Sequence, residues 1–177
     1  MLRSLPLFLA LTLLASSARA QTALPVSPTP ASSLNAYALR LAPGADLRQQ
    51  LLAFVVAQHI EAGTLITCVG SLTDVSLRLA NQENATHYHG HFEIVSLVGT
   101  VSKSGGAHLH LSVSDSTGRT IGGHLLDGNR VYTTAEIVLG ALPKLVFTRE
   151  TDPTFGYKEL VIRAATPAAG KPSKAKK

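Results

Sequence analysis

Strict alternation from Ala107 to Val113, a Gly-bearing turn and a second alternating run from Thr120 to Leu125 commit the middle of this chain to a β-hairpin. Alternate residues of a strand share a face, so Leu109, Leu111 and Val113 point to a core while His108 and His110 project from the other side. If Ser116-Thr117-Gly118 forms a three-residue loop with Gly118 in the left-handed position, Asp115 pairs with Arg119. That register sets His110 opposite His124, Val113 opposite Ile121 and Leu109 opposite Leu125. Three imidazoles then gather on one face. A four-residue loop would slip the ladder by one and turn His124 to the core side.

The chain has 177 residues, enough for one domain with a real core and too few for two comfortable ones. Its first twenty residues read as a secretory signal peptide. Met1-Leu2-Arg3 is a positive start, Leu5 to Leu14 an apolar run, and Ala18-Arg19-Ala20 a cleavage site before Gln21. An apolar run of about ten residues is too short to cross a bilayer, which takes about twenty. The mature protein is therefore expected to be exported, periplasmic or secreted, with no membrane span once the signal is cleaved. Residues 21–34, with Pro25, Pro28 and Pro30, suit an extended linker, residues 35–163 form the domain, and residues 164–177 read as a Lys-rich disordered tail.

Cys68 is the single cysteine, so no internal disulfide is available, and its setting in Leu65-Ile66-Thr67-Cys68-Val69 reads as a buried small hydrophobe. The formal charge of +5 is carried by the chain ends. Residues 21–163 hold ten basic groups against eleven acidic ones. A neutral body lacks the broad positive footprint that carries nucleic-acid affinity, and the basic tail reads as a solvated segment.

Along the domain, Tyr37 to Leu41 alternates like a strand. Asp46 then caps a helix through Leu47, Leu51, Phe54, Val55 and Gln58, with Gly63 as terminator. His59 near its end suits the negative pole of the helix dipole. Period-two runs follow at Leu65–Val69, Val75–Leu79, His91–Val101, His108–Val113, Thr120–Leu125, Val138–Leu142, Leu145–Thr148 and Lys158–Ile162. Many short strands with one early helix predict an α+β domain on a mostly antiparallel sheet.

Several ordered blocks resemble a known family. They are Gly70-Ser71-Leu72, Gly90-His91-Phe92-Glu93-Ile94, His108-Leu109-His110-Leu111-Ser112-Val113, Gly118-Arg119-Thr120-Ile121-Gly122-Gly123-His124-Leu125 and Thr133-Thr134-Ala135-Glu136-Ile137-Val138. Together they look like the PPC domain, conserved in plants and prokaryotes, over roughly Ala38 to Ile162. The resemblance implies an antiparallel sheet flanked by helices and assembled as a homotrimer. It also implies a DNA-binding alternative, because plant members carry AT-hooks beside this domain. This chain has no Arg-Gly-Arg core of that kind, and His91 stands where the plant pattern has Arg.

Neutral imidazole is a zinc ligand, and three protein ligands with an open fourth position is the usual arrangement of a reactive or ligand-binding zinc site. His108, His110 and His124 are the candidate ligands. Zinc is the expected ion, and copper, nickel or iron would also accept the set. The other reading of these residues is a polar face that meets solvent or a second subunit. His89, His91 and Glu93 share a strand face and form a weaker candidate for contacting a small ligand or anion. Glu93 would be the general base if a metal-bound water made the protein a hydrolase. Arg78 and Arg130 could bind an anion, although surface arginines are usually solvated. Gly122-Gly123 precedes no helix and so reads as close strand packing or a bulge, not a phosphate loop. The leading expectation is an exported binding module, with an enzyme the lesser reading.

Overall fold

The computed structural model describes residues 30–166. The expected signal peptide, most of the linker and most of the tail lie outside the described residues. Eight strands and one helix follow in the order β1 (Asn35–Leu41), α1 (Leu47–Ala57), β2 (Gly63–Arg78), β3 (Thr86–Ser102), β4 (Gly106–Ser114), β5 (Thr120–Leu125), β6 (Arg130–Ala141), β7 (Leu145–Thr151) and β8 (Lys158–Ala164). Every strand pairing is antiparallel. The mostly antiparallel α+β reading holds. The flanking helices implied by the resemblance reduce, among the described residues, to α1 alone, because the chain after it alternates with period two almost throughout.

A six-stranded sheet runs in the order β1-β6-β2-β3-β4-β5, and β5 pairs a second time, with the far end of β2. The long strand β2 makes this closure possible. Its pairing with β6 ends at Asp74 and Arg130, and the overhanging Leu77 and Arg78 then pair with Leu125 and His124 of β5. Strands β2 to β5 thereby form a closed ring, which leaves those strands without an open edge there. The two runs expected at Leu65–Val69 and Val75–Leu79 are one continuous strand. Register shifts between Leu65 and Thr67, Gly70 and Leu72, and Leu72 and Asp74 interrupt the alternation that would have revealed its continuity.

Helix α1 buries Leu47, Leu51 and Val55 against Leu72, Val75, Leu97, Leu111, Ile137 and Leu139 of the sheet. Its start follows the expectation. Asp46 adopts an extended backbone and accepts from the Gln49 N–H at 3.1 Å. Its end does not. Gly63 lies in β2, and His59 itself takes the left-handed position at φ 51°. The Ile60 N–H donates to the Val55 carbonyl and the His59 N–H to the Val56 carbonyl, the paired bonds of a Schellman cap. His59 therefore acts through its backbone, two residues beyond the helix, and its side chain is exposed.

The loop between β5 and β6 holds the closure in place. Asn129 is fully buried. Its Oδ1 accepts from the Ser76 N–H at 3.1 Å, and its Nδ2 donates to the carbonyls of Ser76 and Leu126 at 3.0 and 2.7 Å. Asp46 Oδ2 accepts from the Gly128 N–H at 2.7 Å, and the Asn129 carbonyl accepts from the Leu47 N–H at 2.9 Å. One short loop thus ties the helix start to β2 beside the β5 junction. The separate β7–β8 hairpin docks through Leu145 and Phe147 against Ala62, and the Ser102 hydroxyl donates to the Phe147 carbonyl at 2.8 Å.

Two outcomes follow for stability and reactivity. Asn129→Ala strands Ser76 and Leu126 backbone groups in the interior and should cost about 1–3 kcal/mol for such unpaired groups, read as a lowered denaturant midpoint with unchanged slope. Cys68 is 4% exposed, and burial pushes its thiol up to about 12. A thiol reagent at pH 8 should leave it unmodified in the folded protein and label it completely once denaturant unfolds the chain.

Candidate metal centre

The hairpin register is the expected one. His110 faces His124, Val113 faces Ile121, and the Asp115 N–H donates to the Arg119 carbonyl across a loop in which Gly118 stands at φ 81°. The Asp115 carboxylate locks that loop, accepting from the Thr117 N–H, the Thr117 hydroxyl and the Arg119 N–H. The expected Leu109–Leu125 pair is absent because the β4–β5 ladder ends at the histidines, where Leu125 turns to Leu77 of β2. Close packing at Gly123 allows this turn. A Cβ there would sit 2.7 Å from the Arg78 carbonyl oxygen, so any side chain would push β5 off β2.

His108, His110 and His124 converge. Each offers a ring nitrogen, and the three nitrogens lie within 4.8 Å of one another. The His108 and His124 rings stack at 5.1 Å and 12°, while His110 stands edge-on to both, 5.1 Å from His108 and 4.5 Å from His124. Among the described residues, none of the three rings hydrogen-bonds to protein. Desolvation, then Arg149 and His110, hold the His108 pKa below the ordinary imidazole range, and Glu159 opposes that shift. Desolvation and then Arg78 lower that of His124. Both causes favour the neutral ring that presents a lone pair.

The second histidine group stands apart. On β3, Thr100 faces His108 and Val98 faces His110, whereas Glu93 faces Ser114. Ser114 is four residues along β4 from His110, about 13 Å at the rise of a strand. Glu93 does not join the three imidazoles. His89 instead places Nδ1 2.8 Å from Asp74 Oδ1, an exposed pair that, with the Thr73 hydroxyl, lowers the Asp74 pKa. The His91 ring packs on Tyr132 with centroids 4.3 Å apart. Arg130 lies on the Asp74 side and donates to the Gly44 carbonyl at 3.4 Å.

Beside the three histidines lies a cleft of about 550 Å³, lined in part by His108, His124, Arg78, Arg149, Tyr157 and Lys158. Arg78 was a candidate from sequence. Arg149, Tyr157 and Lys158 were not, because nothing local to the β7–β8 hairpin signals that it folds against a strand some forty residues earlier.

A closed antiparallel sheet carrying three clustered imidazoles defines the class, and comparison with known proteins gives the family. The chain belongs to the Plants and Prokaryotes Conserved (PCC) domain family, which matches residues 29–143. It is 46% identical over 145 residues to the bifunctional protein GlmU of a Synechococcus strain, covering 82% of this chain and 22% of that protein. The chain thus spans about a fifth of the length of the curated relatives it matches first. Among solved structures, a hypothetical protein of Salmonella enterica is 47% identical with a TM-score of 0.76, over 77% of this chain and 99% of that one. A protein of Archaeoglobus fulgidus described as metal-containing shares the fold at 23% identity and a TM-score of 0.64, over 75% of this chain and 99% of that one.

The depressed imidazoles set a pH dependence. A histidine whose pKa is lower folded than unfolded adds stability that is complete above the unfolded value and is lost as pH falls through the folded one. Metal-free protein should therefore melt at a constant temperature above about pH 6.5 and progressively lower below it. His108→Gln/His124→Gln should flatten that fall, as followed by thermal melts from pH 8 to pH 5.

Proposed function

We propose that this chain is an exported PPC-domain binding protein that holds one transition-metal ion, zinc, through His108, His110 and His124. The observation that carries this reading is the convergence of three ring nitrogens within 4.8 Å. Tetrahedral zinc with bonds of about 2.0–2.1 Å sets its nitrogens about 3.4 Å apart, and the three ring nitrogens here lie within 4.8 Å of one another. The donor set fits the ion. Among the described residues the rings turn toward one another without protein partners, and the surroundings of His108 and His124 favour the neutral form that a metal requires. The metal-containing description of the Archaeoglobus relative agrees with it.

When bound, a three-histidine zinc supplies an open coordination position for water or an anionic ligand. The chain's own part is to hold the imidazoles on two paired strands and a closed ring, which limits how far they can drift. Hydrolysis through Glu93 is not the reading proposed, since that carboxylate sits about 13 Å along the sheet from His110. Nor is nucleic acid, given a domain with eleven acidic groups against ten basic ones.

Export rests on the first twenty residues, and cleavage after Ala20 would leave the mature chain periplasmic or secreted. Assembly as a homotrimer, which the family resemblance implies, gains support from apolar side chains that a monomer leaves in water. Ile66, Val69, Val95 and Val98 of β2 and β3 are each about half exposed. Val98 faces His110 across the ladder, so a subunit seated there would also help shield the metal.

Elemental analysis of untagged mature protein should find about one zinc per chain. A folded His108→Ala/His110→Ala/His124→Ala variant should hold less than a tenth of that. Metal-free wild type after zinc loading and removal of the excess would end the metal reading.

A further inference from the structure

The cleft beside the histidines lies between two sheets. Strands β4 and β5 supply the wall with His108 and His124, and the β7–β8 hairpin supplies Arg149, Tyr157, Lys158 and Glu159. Its volume of about 550 Å³ falls within the range of pockets that enclose small organic molecules.

The charges around it do not balance. Arg48 is neutralised by Asp127 at 2.6 Å. Among the described residues, Arg78, Arg149 and Lys158 form no ion pair. Arg78 Nη1 donates to the Gln82 carbonyl at 3.4 Å and Arg149 Nη2 to the Thr100 hydroxyl at 3.0 Å. These neutral acceptors orient the two guanidiniums without cancelling their charge. Three unpaired cations thus share the cleft with one carboxylate, Glu159. Concave surfaces of one sign concentrate the opposite ion, and guanidinium matches carboxylate and phosphate oxygens in a two-pronged fit. The Tyr157 ring, 72% exposed on the hairpin, offers an aromatic surface for the carbon skeleton of a ligand.

We propose that this cleft binds a small organic anion, with one carboxylate or phosphate group at the open position of the histidine-held metal and a second held by Arg78 and Arg149. The first contact rests on the metal reading above. The second rests on the arginines alone. Lys158 adds charge at the hairpin end, and the volume of the cleft suits a small molecule.

The test uses full-length mature protein loaded with zinc, at fixed ionic strength near 0.15 M. Calorimetric titration with succinate, inorganic phosphate and glycerol 3-phosphate tells carboxylate from phosphate preference, and glycerol serves as the uncharged control. At least one anion should bind while glycerol does not. Arg78→Gln/Arg149→Gln should weaken that anion at least tenfold while elemental analysis finds wild-type zinc content. Lys158→Glu, at an exposed position with no protein partner, should weaken it too and guards against a folding defect from the loss of the Arg149–Thr100 contact. Binding by none of the three anions, or equal binding by wild type and both variants, would overturn the proposal with the metal site intact. A wild type that holds no zinc would remove the metal contact separately, and arginine-dependent anion binding would then support the remaining half.

Discussion

The overhang of β2 beyond β6 is the constraint on which the site depends. Leu77 and Arg78 extend past the last β6 pair, and β5 fills the vacant edge they present. Without that second partner, β5 would be a six-residue edge strand held by β4 alone. Such a strand frays readily, and His124 sits at its last ladder pair with β4. The Asn129 amide, sealed in the interior, reads both the Ser76 backbone of β2 and the Leu126 carbonyl just after β5. It converts a loop into a clamp. Because Asp46 caps α1 and bonds to the same loop, helix packing and site closure are parts of one cooperative unit.

Electrostatics then decides what the gathered histidines can do. Protonated imidazoles gathered this closely repel one another. Desolvation and Arg78 disfavour the charged form of His108 and His124, and Arg149 adds to this at His108. A positive environment is costly for a cationic cluster and for a bare metal dication alike, and an anionic ligand arriving with the metal would offset that cost. The same two arginines that make protonation of the rings unfavourable would thus compensate the charge of what the metal binds.

The hairpin register was legible because everything that sets it is local. Asp115, Gly118 and the two alternating runs lie within twenty residues, and the apolar and histidine faces demand the same alignment. The N-cap was legible for the same reason. Features that involve distant partners were not. His59 replaces Gly63 as the helix terminator because the energetic gain comes from seating Ile60 in the core, which no local propensity encodes. The continuity of β2 was hidden by bulges that break the period of two. The ring closure joins residues 77 and 125, and the cleft joins residues 78, 108 and 149, separations at which a sequence pattern carries no pairing information.

The division of the cleft between two sheets bears on selectivity. The family match ends at residue 143, before β7 begins at Leu145. The histidine wall therefore lies inside the family's common region, and Arg149, Tyr157 and Lys158 lie beyond it. A metal held by imidazoles discriminates poorly among oxygen ligands, because its open position accepts whichever donor arrives. Discrimination must come from groups that reach the rest of the ligand. Only the hairpin and Arg78 present such groups at the cleft with unneutralised charge. Changes at the exposed positions of the docked hairpin would alter the preference of such a ligand while the closed ring and its three histidines stay as they are, since the hairpin is held elsewhere, by the Ser102 hydroxyl on the Phe147 carbonyl and by Leu145 and Phe147 packed on Ala62.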